Sequence, residues 1–383
     1  MKINPLIFKE YDVRGEYPKE INEKNAYKIG QGFVKFLKLK KGDQVAVGKD
    51  KRPSSPKLAE AFISAIIDFG IDVIDLGAVS TPMLYWSVPF LKTKGGIMIT
   101  ASHLSKKYNG LKFVKANAEP IGGENLQKIY KLTDNLQLTT DDKKRGSVKK
   151  YNIKKDYLGA VYKDFQPTKI KIPHSFDFDA DRLIIKKMRG DIIGAIIANS
   201  FVKKGDVIVY DLRCSRAIPE YFSNKGIKTI PSRVGHFNIK KLMREKKAVF
   251  GMELTSHYYF KEFYYCEAPL YGLRKLAEHI AKTKKTLDEL AKPFMKYAHS
   301  GTINIKILNL KPQILNLIEK LKDEYKNASQ NFLDGLTVEF SNWWFNIRAS
   351  HTEPVTRLVI EAKTPALLKQ KKKELLQEIK LNR

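Results

Sequence analysis

Residues 45–77 read VAVGKDKRPSSPKLAEAFISAIIDFGIDVIDLG. The apolar run VAVGKD (45–50) reads as a buried strand. PKLAEAFISAIIDFG (56–70) carries apolar residues at helical spacing and stops at Gly70, and IDVIDLG (71–77) is a second strand. Strand, helix, strand is a βαβ unit, and βαβ units imply a mainly parallel sheet. The alternation continues. Thr81-Pro82 opens a helix running towards Phe90, with proline in the first turn. GGIMIT (95–100) is a third buried strand, GLKFVK (110–115) a more exposed one, and GGENLQKIYKLTDN (122–135) a helix.

A basic, glycine-broken linker near 141–150 interrupts this pattern, and alternation resumes at RLIIKK (182–187). Strands DVIVYDL (206–212) and IKTIPS (227–232) follow with a helix between them, then helix HFNIKKLMREKK, a short AVFGMEL (248–254), HYYFKEF (257–263) and two helices from Leu270 to Lys296. The tail differs: GTINIKI (301–307), a helix, three strands (LTVEFS, WFNIRAS, TRLVIEA) and a final helix predict a small antiparallel α+β unit.

At 383 residues the chain is too long for one ordinary core. Hydrophobic content of 43% excludes disorder as the default reading. Cys214 and Cys266 lack CxxC spacing, which argues against a disulfide framework or zinc cluster and fits a reducing compartment. The N-terminal apolar patch is too short for a secretory signal and no stretch is long enough for a membrane span, so a cytoplasmic protein is expected. Seventy Lys plus Arg against 41 Asp plus Glu give a net charge of +29. That balance would suit a polyanion, but the lysines are scattered, and KKRGSVKKYNIKK (143–155) has no aromatic platform beyond Tyr151. The expectation is a solvated basic surface, with no membrane or nucleic-acid partner.

Four stretches carry chemistry. FDFDADR (176–182) holds Asp177, Asp179 and Asp181 at alternate positions, which an extended segment would aim at one point. Converging carboxylates suit a hard dication such as Mg²⁺, while an EF-hand fails because its sixth position is Arg182 and its twelfth Met188. TASHLSKKYNGLKF (100–113) puts Ser102 just past a buried strand, beside His103, Lys106, Lys107 and Lys112. Without a GxSxG elbow this serine fits phosphorylation better than acyl transfer, and a turn serine remains the bland alternative. GMELTSH (251–257) offers Glu253, Thr255 and His257, a set suited to sugar hydroxyls. RASHTEP (348–354) has the ingredients of a phosphate cradle.

In order and spacing these stretches resemble the α-D-phosphohexomutase superfamily, nearest its phosphomannomutase/phosphoglucomutase branch. YDVRG (11–15), GKDKRPSSPKLAEA (48–61), GAVSTPMLY (77–85), DLRCSRA (211–217) and VGHFNIKK (234–241) add to the likeness, which runs from about residue 8 to 362. The resemblance implies mixed-sheet α/β domains around a central cleft and a C-terminal α+β domain like the TATA-box-binding protein. Expected boundaries are 1–142 for the domain with the serine loop, 147–191 for a truncated second domain with the metal loop, 192–297 for the third and 298–383 for the fourth. It implies an intramolecular phosphotransferase interconverting hexose 1-phosphate and hexose 6-phosphate, of mannose or glucose, through a phosphoserine and a bisphosphosugar. Phosphoglucosamine mutase, or an impaired sugar-phosphate or polyanion-binding homologue, is the alternative. Mg²⁺ and hexose 1,6-bisphosphate are the implied cofactors, a phosphosugar the partner, and a monomer or dimer the expected state.

On these motifs Ser102 would carry the phosphoryl group and share Mg²⁺ with Asp177, Asp179 and Asp181. Arg14, His103, Lys112 and His257 would serve acid/base or charge-stabilising roles. Tyr11, Arg182, Arg213, His236, Glu253, Thr255, His257, Arg348, Ser350 and Thr352 would bind substrate. The chain departs from the family pattern in several places. Leu104-Ser105 stand where Asn-Pro is usual, Phe178 and Ser256 replace glycines, Arg213 replaces lysine and His351 asparagine. Only 75 residues separate Ser102 from Asp177, so the metal loop is expected to rest on a reduced sheet.

Overall fold

The computed structural model describes residues 3–134, 145–185, 187–305, 310–350 and 355–381. The opening βαβ unit forms as read, with strands β2 (Gln44–Lys49) and β3 (Asp72–Ala78) parallel beneath the intervening helix. They belong to a six-stranded sheet with β1 (Val13–Glu16), β4 (Gly95–Ile99), β5 (Tyr108–Lys115) and β6 (Val148–Lys150), ordered β1-β5-β4-β2-β3-β6. The β4–β2–β3–β6 run is parallel, and β5 and β1 are added antiparallel. GLKFVK is therefore not the exposed strand expected. β1 covers its outer edge, and residues 109–114 are all buried.

Helices α1 (Glu23–Leu37), α2 (Ser55–Asp68) and α4 (Glu124–Asp134) cover one face of this sheet, and α3 (Thr81–Phe90) the other. α1 approaches its neighbours closely because it presents glycines. A Cβ on Gly30 would stand 2.8 Å from the Ala65 Cβ, and one on Gly32 would stand 2.2 Å from the Thr133 hydroxyl. Phe33, Phe62 and Phe113 pack together beneath, with ring centroids 5.3 to 6.2 Å apart.

The reading of 141–150 as linker ends differently from expectation. Residues 141–144 lie outside the described residues, and β6 then joins the first sheet, pairing Val148 with Val73 and Lys150 with Asp75. After it come α5 (Lys154–Val161) and a two-stranded ribbon of β7 (Ser175–Phe176) and β8 (Leu183–Ile184) carrying the aspartates. Among the described residues of RLIIKK only Leu183 and Ile184 are strand. Helix α5 is wedged between its neighbours: Tyr157 meets Trp86 of α3 at 5.8 Å and Phe263 at 6.1 Å, both edge-on.

Helix α6 (Gly190–Asn199) leads into a five-stranded sheet of β9 (Val207–Asp211), β10 (Lys228–Ser232), β11 (Phe250–Met252), β12 (Tyr258–Phe260) and β13 (Cys266–Glu267), ordered β10-β9-β11-β12-β13. Helices α7 (Ala217–Ser223), α8 (His236–Glu245), α9 (Pro269–Thr283) and α10 (Leu287–Ala291) complete this part. One apolar cluster runs unbroken from Ala46 and Met98 in the first sheet, through α3 and α5, to Ile196, Phe250 and Leu276. The last part is an antiparallel sheet of β14 (Ala298–His299), β15 (Ile303–Ile305), β16 (Ser329–Asn331), β17 (Leu336–Glu339), β18 (Trp343–Ala349) and β19 (Thr356–Ala362). It is backed by α11 (Leu310–Glu324) and α12 (Pro365–Leu381), with a core of its own. Among the described residues no helix is long and apolar enough to cross a membrane.

Candidate active site

The serine loop leaves the C-terminal end of β4, where open α/β sheets place their ligands. Ser102 is buried with φ of +50°, a left-handed conformation that serine adopts only at a cost. Its amide donates to the Thr100 hydroxyl at 2.9 Å. Arg52, 1% exposed, holds the loop from behind. Its guanidinium donates to the carbonyls of Ser102, Leu104, Ser105 and Tyr108, and its Nε to Asp50 at 3.0 Å.

The aspartates converge by a different route from the extended segment expected. Ala180 has φ of +54° and its amide bonds back to Asp177, so the chain turns and gathers the carboxylates inward. Each contributes an oxygen within 4.8 Å of the others. Thr81, at the start of α3, grips Asp179 twice: its amide donates to the backbone carbonyl at 3.0 Å and its hydroxyl to Oδ2 at 2.7 Å. The Lys112 ammonium bridges Asp179 and Asp181 at 2.7 and 2.6 Å. Like charges are thereby held together by a buried counter-charge.

Burial, and then the charges of Asp181 and Asp179, push Asp177 up to about 7. Burial also acts to raise Asp181, but Lys112 and His257 outweigh it and hold it well below the carboxylate range. Burial disfavours the Lys112 charge, and Asp179 and Asp181 overcome it and keep the ammonium protonated. Asp179 Oδ1 is buried without a hydrogen-bond partner among the described residues, and Asp181 Oδ1 is buried with the His257 ring 3.3 Å away. Three converging carboxylates, one with a buried oxygen left unsatisfied, fit a divalent cation such as Mg²⁺. The two loops meet where Ser102 Oγ lies 3.4 Å from Asp177 Oδ2.

Opposite them is the 253–257 turn. Glu253, Thr255 and His257 lie where the chain reverses, with Ser256 at φ of +70°. The side chains still converge. The Thr255 hydroxyl donates to Glu253 at 3.2 Å and lies 3.3 Å from His257 Nδ1. His257 Nε2 reaches Asp181 at 3.3 Å, and the Leu183 amide donates to the Ser256 carbonyl at 3.1 Å, tying this turn to the metal loop. Burial lowers the His257 affinity for a proton, but Asp181 more than restores it, so its pKa is raised. His103 is held down to about 4 by desolvation and by Arg182 and Arg14.

A cleft of about 270 Å³ is lined by Tyr11, Arg14, Ser102, His103, Lys112, Asp181, Arg182, Arg213, His236, Glu253, Thr255 and His257. Arg213 is pinned by Asp211, and Gly235 packs where any Cβ would strike the Tyr11 ring, whose hydroxyl donates to the Val234 carbonyl at 2.7 Å. Of the three aspartates only Asp181 lines the cleft. Arg348 and Ser350 do not line the cleft, and Thr352 lies outside the described residues. Sequence reasoning missed Arg52, Thr81, Asp12, Thr302, Asn304 and Arg357, the last three contributed by the C-terminal sheet to the cleft wall. Arg52 had a legible signal, an arginine two residues after Asp50 at the end of a buried strand. Thr302, Asn304 and Arg357 had none, being polar residues on ordinary-looking strands.

Residues 5–140 match the family described as phosphoglucomutase/phosphomannomutase, alpha/beta/alpha domain I, and residues 189–297 match its alpha/beta/alpha domain III. A phosphomannomutase of Methanocaldococcus jannaschii is 34% identical over 446 residues, covering 97% of this chain and 96% of that protein. The chain belongs to the phosphoglucomutase/phosphomannomutase family. An Escherichia coli phosphomannomutase is 29% identical, covering 97% of this chain and 99% of its own length. A family member from Burkholderia thailandensis shares the fold, with a TM-score of 0.85 at 23% identity, covering 99% and 98% of the two chains. The 446-residue alignment is longer than the 383-residue chain, so the archaeal family member carries segments that this one lacks.

Proposed function

We propose that Ser102 is the phosphoryl carrier of a phosphomannomutase/phosphoglucomutase reaction and that the cleft turns a hexose bisphosphate between two half-reactions. Family membership makes the chain an intramolecular phosphotransferase that interconverts hexose phosphates. The observation that carries the residue assignment is the approach of Ser102 to Asp177, brought within 3.4 Å across 75 residues of chain.

In the forward half-reaction the Ser102 Oγ–P bond breaks as a sugar hydroxyl oxygen bonds to phosphorus, and the hydroxyl proton passes to a base in the cleft. The bisphosphosugar then reorients and returns its other phosphate to Ser102. Lys112 and Arg14 are held charged by Asp179, Asp181 and Asp12, which suits them to stabilise charge on the phosphoryl in flight rather than to move protons. His257, between Asp181 and Glu253, is the candidate for the proton transfer; burial lowers its proton affinity and Asp181 more than restores it. Glu253 and Thr255 are assigned to the sugar hydroxyls, a reading supported by the cleft they line together with Tyr11, Arg182, Arg213 and His236. Arg348 and Ser350, which stand outside the cleft lining, are assigned with Thr352 to the non-reacting phosphate on the family resemblance. A dication held by Asp177, Asp179 and Asp181 would neutralise the acidic trio and draw negative charge from the transferring group.

The test supplies glucose 1-phosphate or mannose 1-phosphate with Mg²⁺ and a trace of hexose 1,6-bisphosphate. The 6-phosphate should form, and Ser102→Ala should lower the rate by about 10³-fold or more, as expected on losing a covalent carrier. A protein whose intact mass shows one phosphoryl group, yet which forms no isomerised sugar, would overturn the reading.

A further inference from the structure

We propose that Arg52 is a positioning residue that locks the phosphoryl-carrying serine against the metal loop, with Phe178 as its outer clamp. The inference rests on the reading of Ser102 as carrier. Two of the chain's departures from the family pattern, Leu104-Ser105 in the serine loop and Phe178 in the metal loop, come together at this one guanidinium. The carbonyls of Leu104 and Ser105 each accept from it at 2.7 Å, and those of Ser102 and Tyr108 accept as well. Because a trans peptide points its N–H away from its C=O, these units turn their positive ends away from Arg52. The loop's left-handed turn at Ser102 is then held by four bonds to one rigid fork, added to the few within the loop, such as that of the Leu104 amide to the Ala101 carbonyl at 3.2 Å.

On the other side the Phe178 ring lies 4.8 Å from the Arg52 guanidinium carbon. Phe178 is 45% exposed and sits between two of the acids, at a point where packing alone does not call for an aromatic. It ties the backbone between Asp177 and Asp179 to the loop bearing Ser102. The metal loop stands on a ribbon of only two residue pairs, so a contact reaching it from the first sheet replaces support that a fuller sheet would give. Arg52 itself is anchored to that sheet through Asp50, which also accepts from the Ser55 hydroxyl at 2.6 Å.

The strut is specific to arginine. Lysine offers a single ammonium that cannot span four carbonyls and a carboxylate. Steady-state kinetics on glucose 1-phosphate with Mg²⁺ and glucose 1,6-bisphosphate, for wild type, Arg52→Lys, Phe178→Leu and the double variant, test it. Arg52→Lys should lose about 100-fold in kcat, the scale of a small misplacement of reacting groups, with KM within about twofold. Phe178→Leu should lose about fivefold in kcat at an unchanged melting temperature, the scale of one cation–π contact. The double variant should be no worse than Arg52→Lys, because the clamp acts only through the guanidinium. Unchanged kcat in both single variants, a loss confined to KM, or multiplicative effects in the double variant would overturn the proposal. If Arg52→Lys does not fold, Phe178→Leu decides alone by its kcat at an intact melt. An inactive wild type defeats the mutase reading and this inference with it, whereas an active wild type with unaffected variants defeats only the strut.

Discussion

Arg348 is buried at 1% exposure in the middle of the C-terminal sheet, and its Nε and one Nη have no hydrogen-bond partner among the described residues. Burial, and then the nearby charge of Arg213, lower its pKa to about 10. A guanidinium kept in such a place costs stability, and a protein tolerates that where an anion comes to meet it. Arg348→Met should therefore stabilise the ligand-free protein by on the order of 1 kcal/mol or more and raise its melting temperature. The same change should raise the KM for glucose 1-phosphate about 10- to 100-fold, the scale of one lost charge-assisted hydrogen bond. Added inorganic phosphate should stabilise the wild type and not the variant. Thermal melts with and without phosphate check both signs, and a variant that melts lower would show that Arg348 is structurally paired instead.

Helices α11 and α12 show how a pair of elements can titrate together. Glu378 of α12 is raised to about 8 by its burial and by sharing a proton with Glu324 of α11, while the Tyr325 hydroxyl donates to it at 3.1 Å. A carboxyl with a raised folded pKa stabilises most when both states are protonated, and that contribution is lost as pH rises towards the folded value. The melting temperature should fall between pH 5 and about 9 by more than it does in Glu378→Gln, which keeps the hydrogen bond without the charge. A difference between the two proteins that is flat with pH would refute the shared proton. Elements were legible in the sequence where apolar periodicity ran long, as in α2 and β3. They were hidden where pairing alone makes a strand: β1 is four residues with Arg14 and Glu16 in it, and β7 and β8 are two each. The candidate site was legible as residue types but not as geometry. Asp177, Asp179 and Asp181 were read as converging along an extended chain, yet it is the left-handed turn at Ala180 that gathers them, and a backbone sign change at alanine leaves no mark in composition. Arg52 was visible but mute, because its partners are carbonyls, which every residue carries.

Across the molecule the apolar clusters do not follow the sheets one for one. The cluster that begins on the α3 face of the first sheet continues through Tyr157 of α5 into the second sheet, so these two sheets share buried surface. The opposite face of the first sheet carries its own cluster but is welded to the same strands. The C-terminal sheet keeps a separate core, and it meets the rest largely through polar contacts. Glu361 accepts from the Arg216 amide at 3.0 Å, Asp334 from the Val234 amide at 3.0 Å, and His299 lies 2.9 Å from the Arg213 carbonyl. Cooperative unfolding follows shared apolar burial, because hydrogen bonds of this kind exchange with water at small net cost. Scanning calorimetry should accordingly show two transitions, a large one for both α/β sheets with the metal ribbon and a smaller one for the C-terminal unit. Tyr157→Ala, which removes the wedge between α3 and the second sheet, should cost about 3 kcal/mol or more and shift only the large transition. Ile360→Ala, in the separate core, should shift only the small one. Separate melting of the first and second sheets in the unaltered protein would show that α5 does not join them. The metal loop, which stands between those sheets, would then lack the common foundation that brings Asp177 to Ser102.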